Sequence, residues 1–390
     1  MPMDLAQLAA QLAIALAGAG LAYQVLALVA LRAFFARPLA GERSAPPLSI
    51  LKPLYGDEPR LGENLASFLA QDYTGPVQMV CGTNSRSDAA VPVAQALIAT
   101  HPQHDIALHR GPRLPGANGK MGNLAAMMQM VQHDTLVLSD SDMVVGPDYL
   151  SRISAALDQP GVGAVSCLYV GRGDAGFWSK LGAVIISLHT MPNMVVGLST
   201  GMAQPCMGST IALRRDVLDE IGGFASFTDV LADDHAIGAA VRESGLRVDV
   251  PPMLLVHAGA EGSAKALWRQ HLRWAVTVRD LAGAGHYGSL ITHALPLSLL
   301  AALVAPPAGG ALLLATLAFR LVLGWRVARL SPVRLPLWLL PAADLFAFAV
   351  FCGSLIARNV DWRGEALTIQ PHGRIASTEA RQATPVARDE

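Results

Sequence analysis

The sequence predicts an α/β domain built on a mostly parallel sheet, with membrane-crossing helices at both ends of the chain. Three observations carry that expectation. Hydrophobic residues make up 52% of the 390 and charged residues only 15%, a balance that soluble domains rarely reach. Long uncharged stretches lie near the two ends. From Pro46 onward, short apolar runs alternate with stretches of helical texture, as they do in parallel α/β sheets. The length accommodates one domain of roughly 230 residues beside the membrane segments. The net charge is −1, and the 29 basic residues form no tract interleaved with aromatics, so no nucleic-acid partner is expected. Cys81, Cys167, Cys206 and Cys352 are widely spaced with no CxxC pair. They read as buried thiols on a reducing side, not as a zinc site or disulfide frame.

The 27 residues between Asp4 and Arg32 carry no charge, more than the roughly 20 that cross a bilayer as helix. A signal peptide would have a shorter apolar core behind a basic start, whereas here Arg32 and Arg37 follow the run. Residues 1–37 are therefore expected to anchor the chain, N-terminus outside, with the rest beginning in the cytoplasm. Within 46–260, strands are expected at Leu48–Leu54, Val77–Thr83, Ile106–His109, from Leu136, at Gly163–Tyr169 and at Arg247–Val250. Helices are expected at Leu61–Gln71, Ala89–Thr100, Lys120–Gln132 and Pro147–Leu157. Phe177–Met202 is apolar but interrupted by Pro192-Asn193 and several glycines. It reads as an interfacial segment, because a full span would place the polar motifs that follow on the wrong side. Residues 261–285 form a basic amphipathic helix whose Trp268 and Trp274 suit a membrane surface. Residues 288–357 hold apolar spans around a tight turn at 306–310, then an arginine-marked cytoplasmic loop, then a span that Pro341 and Asp344 could break. The tail, 358–390, reads as polar and loose.

The chemistry gathers around Leu136-Val-Leu-Ser-Asp-Ser-Asp142. On a strand, Asp140 and Asp142 point to one side. They repel unless a cation sits between them, and a hard divalent ion that also grips a diphosphate, Mg²⁺ or Mn²⁺, meets that need. Ligands of open α/β sheets bind beyond the carboxyl ends of strands, where this pair sits. Three further groups stand out: Lys120 with Asn123 in a glycine-rich neighbourhood, Asp233-Asp234, and Gln270-x-x-Arg273-Trp274. Transfer of a sugar from a diphosphate with inversion needs a metal, a carboxylate base and donors for the developing charge. Asp140 and Asp142 would hold the metal and Asp234 would be the base. Gln270, Arg273 and Trp274 would line the pyrophosphate and acceptor side, while Lys120, Asn123, Asp233 and Asp140 would contact substrate. Each has a plainer alternative. Either aspartate of the Asp233-Asp234 pair could cap a helix, the Gln270 helix face could be merely interfacial, and Lys120 could be a solvated helix-start lysine. His189, His235, His257 and His271 show no metal spacing and read as core or surface histidines, although His235 and His271 fall inside motifs.

These motifs resemble the processive-type family of inverting GT-A glycosyltransferases, and within it the ceramide glucosyltransferase group with its bacterial hopanoid-modifying relatives. The likeness rests on Leu51-Lys-Pro-Leu54, Asn118-Gly-Lys-Met-Gly-Asn-Leu124, Asp140-Ser-Asp142, Arg215-Asp-Val-Leu-Asp219 with Gly222-Gly223, Leu231-Ala-Asp-Asp234, Gln270-His-Leu-Arg-Trp274 and a late Asp361-Trp-Arg-Gly364. It implies a GT-A catalytic domain facing the cytoplasm of a bacterial inner membrane, a UDP-sugar donor and a membrane lipid acceptor, ceramide or a hopanoid polyol. The oligomeric state stays open. One position departs: the group usually carries a uridine-contacting aspartate after the second strand, where this chain has Asn84 or Ser85, with Asp88 a few residues later. Two other readings compete. A processive polysaccharide synthase would need more spans than the four or so expected, and a nucleotide-binding transporter or scaffold gives the Asp233-Asp234 pair no purpose.

Overall fold

The computed structural model describes residues 4–39, 44–357, 359–362, 365–369 and 375–377. The chain divides into two compact units.

One unit comprises residues 38–168, 205–258 and the C-terminal segment from Ala357. Its sheet is built from strands β1 (Leu48–Pro53), β2 (Val77–Thr83), β3 (Asp105–Arg110), β4 (Thr135–Leu138), β6 (Val162–Ser166), β8 (Ile211–Arg214) and β9 (Arg247–Asp249). The short strand β5 (Met143–Val144) follows β4, β7 (Leu168–Gly173) follows β6, and β10 (Leu254–Gly259) follows β9. The order is β3-β2-β1-β4-β8-β6-β9. β1, β2, β3 and β4 run parallel, β8 lies antiparallel between β4 and β6, and β9 is parallel to β6. The antiparallel insertion of β8 is what makes the sheet mixed. β1, β2 and β4 read as near-continuous apolar runs because both faces are covered, as parallel sheets require. Leu51, Val80, Leu136, Leu138, Ile211 and Leu213 pack with Met121, Leu124 and Ile237 into one core. Beside the sheet, β5 and β10 pair antiparallel, with His257 opposite Met143. Strands at Asn359–Trp362, Glu365–Ile369 and Ile375–Ser377 form an antiparallel sheet, so the tail expected to be loose has regular structure in part. Arg363 and Gly364 of the late motif lie outside the described residues.

The other unit comprises residues 1–37, 169–204 and 259–356. Among the described residues, four helices are long and apolar enough to cross a membrane: Leu5–Phe35, Phe177–Thr200, Pro306–Leu330 and Leu337–Ile356. A pair bent by 66°, Ala284–Thr292 with Ala294–Val304, has the shape of a broken span or a re-entrant loop. Two expectations are revised. Residues 177–200 belong to the apolar unit and form one helical run through a π-turn at Ile186–Thr190, so the catalytic segment expected as a continuous 46–260 is split. Pro192 cannot donate to Leu188 four residues back, and that carbonyl accepts Arg320 Nη1 at 2.9 Å. The proline is thereby absorbed and does not end the helix. Arg326 and Arg329, expected in a loop, lie on the last turns of the helix Pro306–Leu330.

Helices of this unit approach closely at small residues. A Cβ on Gly20 would stand 3.0 Å from Ala294, and one on Gly309 would collide with the Ala301 backbone, the packing expected where apolar area gives helices no preference for one another. Arg320 forms a buried ion pair with Asp344, Nε to Oδ2 at 2.9 Å. Tyr23 donates to Asn193 at 2.6 Å.

Candidate active site

The turn between β4 and β5 carries Asp140 and Asp142 beyond the carboxyl end of β4. Lys120 Nζ lies 2.7 Å from Asp140 and 3.1 Å from Asp233. The Lys120 ammonium therefore joins the first carboxylate pair to the second. Gly208 makes the other link: its N–H donates to Asp234 at 3.0 Å and its carbonyl accepts from Asp140 N at 3.3 Å. A Cβ at Gly208 would stand 2.8 Å from Asp140 Oδ2 and 3.2 Å from Lys120 Nζ, so a side chain here would displace the carboxylate or the ammonium. Asp142 faces His257, Nε2 to Oδ2 at 3.2 Å.

Local sequence explains how these groups are presented. Asn118 caps the helix Gly119–Met127, its Oδ1 accepting from Lys120 N at 3.0 Å and Met121 N at 3.1 Å. The same side chain donates to Val230 O at 2.8 Å and to Asp233 at 3.2 Å. Ala117 N donates to Asp229 at 3.0 Å and Asn118 N to Thr228 O at 2.6 Å. The glycine-rich segment and the segment before Asp233 are thus stitched into one wall. Asp233 and Asp234 open the helix Asp233–Glu243, where the backbone dipole favours negative charge.

Burial and charge oppose one another here. Burial pulls the Lys120 ammonium down, but Asp140, Asp233 and Asp234 outweigh it and raise its pKa. Burial and the nearby Asp142 and Asp233 raise Asp140 despite Lys120. For Asp142, burial is overcome by His257 and the two lysines, and its carboxyl is held below the usual range. Asp234 is pushed up to about 6 by burial and by Asp233 beside it, against the pull of Lys120 and two backbone N–H groups.

The expected nucleotide contacts separate. Asn84 Nδ2 donates to Gly119 O at 3.3 Å, while its Oδ1 is buried with no hydrogen-bond partner among the described residues. Asp88 Oδ1 instead accepts from Gly56 N at 2.8 Å and Ala90 N at 2.9 Å, which closes the loop after β1 and the start of the helix Ala90–Thr100. Asn123 Nδ2 donates to Gly82 O at 2.8 Å, tying its helix to β2. Gln270, Arg273 and Trp274 share one face of the helix Ala264–Ala282, as i, i+3 and i+4 positions do. Arg273 donates to Gln270 at 3.2 Å, and Trp274 meets His271 edge-on at 5.3 Å. These three belong to the unit of apolar helices, the carboxylates to the other.

The donor set fits a divalent cation. Asp140 and Asp142 offer hard carboxylate oxygens, and Asp142 Oδ1 is buried with no hydrogen-bond partner among the described residues. No cluster of three or more His, Cys, Asp or Glu that would hold an ion unaided occurs among the described residues. A cation borne on one or two carboxylates and completed by substrate phosphates, as Mg²⁺ sites commonly are, suits this set.

Residues 12–375 match the model of glycosyl transferase family 21. The chain belongs to that family. It is 22% identical over 230 residues to ceramide glucosyltransferase 1 of Caenorhabditis elegans, which covers 59% of this chain and 49% of that protein. It is 25% identical over 269 residues to an N-acetylglucosaminyltransferase of Rhizobium meliloti, covering 64% and 62%. The chain thus spans about half to three-fifths of the length of these relatives. A mannosyltransferase from Pyrobaculum calidifontis, solved in complex with GDP-Man and Mn²⁺, superposes with a TM-score of 0.51 at 22% identity over 89% of this chain and 99% of that one. The fold is that of the GT-A glycosyltransferases.

Three residues of the site were not singled out from sequence as site residues. Gly208 lies in an unremarkable Cys206-Met-Gly-Ser run. His257 showed no metal spacing, although a histidine inside the apolar strand Leu254–Gly259 was a usable signal. Lys52, within the Leu51-Lys-Pro-Leu54 motif, is wholly buried. Its ammonium donates to Asp140 O at 2.5 Å and lies 3.7 Å over the Phe68 ring, and burial pulls its pKa down to about 8 although neighbouring carboxylates resist.

Proposed function

We propose that the chain is a membrane-bound, metal-dependent, inverting glycosyltransferase that moves a hexose, glucose by preference, from a UDP-sugar to the hydroxyl of a ceramide-type lipid at the cytoplasmic face of a bacterial inner membrane. The observation that carries this reading is the double link from Asp140 to the Asp233-Asp234 pair, through Lys120 and through Gly208. Asp140 and Asp142 would hold Mg²⁺ or Mn²⁺, which supplies charge neutralisation to the leaving diphosphate. Asp234 takes the proton of the acceptor hydroxyl. The freed oxygen attacks the anomeric carbon as its bond to UDP breaks. Lys120 stands where it can exchange carboxylate for phosphate oxygen as negative charge builds on the leaving group. The bare Asn84 Oδ1 suits a base-edge N–H of the nucleotide. Gln270, Arg273 and Trp274 present a guanidinium, an amide and an indole on one helix face, a set suited to pyrophosphate and an amphiphilic acceptor.

The likeness to the rhizobial enzyme favours a second reading, transfer of N-acetylglucosamine, with a hopanoid polyol as the acceptor. One experiment decides. The purified chain is given labelled UDP-glucose or UDP-N-acetylglucosamine with ceramide or a hopanoid polyol, and the lipid products are read by mass spectrometry. Glucosylceramide is expected, and is expected to fall by about 10²- to 10⁴-fold in Asp234→Asn, the usual weight of a general base. Undiminished turnover by that folded variant would remove the mechanism.

A further inference from the structure

Lys52 is a cation that neither donor binding nor acceptor activation accounts for. It occupies the carboxyl end of β1, next to β4 in the sheet, with no exposed surface. A buried ammonium is costly unless it is paired and hydrogen-bonded. Here the Phe68 ring, 3.7 Å away, supplies one face, and the oxygens of the following turn supply the rest: Asp140 O at 2.5 Å and Ser139 Oγ at 3.3 Å. That turn carries both Asp140 and Asp142. At the Asp140 end its backbone bonds are long, Met143 N to Asp140 O at 3.4 Å and Asp140 N to Gly208 O at 3.3 Å, whereas at the far end Ala258 N donates to Asp142 O at 2.8 Å. The short contact to Asp140 O thus comes from outside the turn, from a lysine that the core holds rigidly.

We propose that Lys52 is a positioning residue whose ammonium, braced on Phe68, fixes the turn bearing Asp140 and Asp142 before donor or cation arrives. Its effect on transfer rests on the function proposed above, but its effect on the turn does not. Lysine suits the place because its slender stem follows the strand while its head reaches a main-chain oxygen. Methionine would fill the same space and leave that oxygen only its long contacts, from Met143 N at 3.4 Å and Ser139 Oγ at 3.5 Å.

Hydrogen exchange of the full chain in detergent, without donor or cation, tests the assignment. In Lys52→Met the amides of residues 139–144 are expected to exchange roughly tenfold faster or more, the order for losing one hydrogen bond from a charged donor. Amides of β2 and β6 should keep their rates, and Mn²⁺ titrated in the presence of UDP should bind more weakly by a similar factor. A folded variant with wild-type exchange in the turn overturns the proposal. So does acceleration spread evenly over the sheet, which would make Lys52 a support of the fold alone. If Lys52→Met does not fold, Ser139→Ala removes the longer contact, and a smaller acceleration confined to the same amides is expected. An unchanged rate there is equally fatal. A wild-type chain that turns over no UDP-sugar would count against the proposed function, while the exchange rates still decide the role of Lys52.

Discussion

Asp234 sets the pH dependence of the proposed chemistry. Its carboxyl is pushed up to about 6 by burial and by Asp233, and a base must be ionised to accept a proton. Activity is therefore expected to fall as pH drops through about 6, and kcat/KM measured from pH 5 to 8 should show that acid limb. For stability the sign is opposite. A carboxyl whose folded pKa exceeds its unfolded value near 3.8 favours the fold below the lower value and loses that contribution as pH rises through the higher. Gly208 gives a second test. In Gly208→Ala the new methyl meets Asp140 Oδ2 and Lys120 Nζ, the mobile ends of two side chains, so the fold should survive while the site is displaced. We expect little change in melting temperature and, by isothermal titration, at least about tenfold weaker UDP–Mn²⁺ binding, worth about 1.4 kcal/mol. At this scale the carboxylates were legible because acidic pairs at a strand end have few structural uses. Gly208 was not, because its role depends on what the fold brings within 3 Å of it.

Among elements, the capped helix Gly119–Met127 and the segment before Asp233 act as one piece through Asn118. Asn118→Ala removes a helix cap, which alone costs about 0.5–2 kcal/mol, and also the donors to Val230 and Asp233. Chemical denaturation should show that loss, and turnover should fall beyond what the loss of folded protein explains. In the apolar unit, Arg320 joins the helix Pro306–Leu330 to Asp344 and to the carbonyl of Leu188. Arg320→Ala leaves Asp344 as a buried uncompensated charge, at a cost of about 3–5 kcal/mol. Arg320→Met with Asp344→Leu should recover most of it, as thermal unfolding in detergent would read. Periodicity revealed strands β1, β2, β3, β4, β6 and β9 and the amphipathic helices, since each reports its own burial. It did not reveal that the helix continues past Pro192, because the carbonyl that the proline leaves without a donor is taken by a residue 128 positions away in the sequence, Arg320, which no local reading reaches.

For the molecule as a whole, the split of the catalytic unit has a practical result. A fragment covering 38–258 carries the helix Phe177–Thr200, about 72% of whose apolar window is covered within the whole chain, but lacks the helices of its own unit. It is expected to aggregate in size-exclusion chromatography without detergent and to run as a discrete species with it. The order of segments and the apolar ends could be read from composition and spacing. Which segments share a unit could not, because membership depends on three-dimensional proximity.

The ion pair of Arg320 and Asp344 also bears on biogenesis. A helix carrying a lone arginine near its middle is rejected by the translocon at a cost of about 2.5–3.5 kcal/mol, and an aspartate in its neighbour is penalised alike. Presented together as a hairpin, the two charges cancel before either meets hydrocarbon. Residues 306–356 are thus expected to enter the lipid as one unit, so that Asp344→Ala should lower insertion of the helix Pro306–Leu330 in a glycosylation-mapping assay.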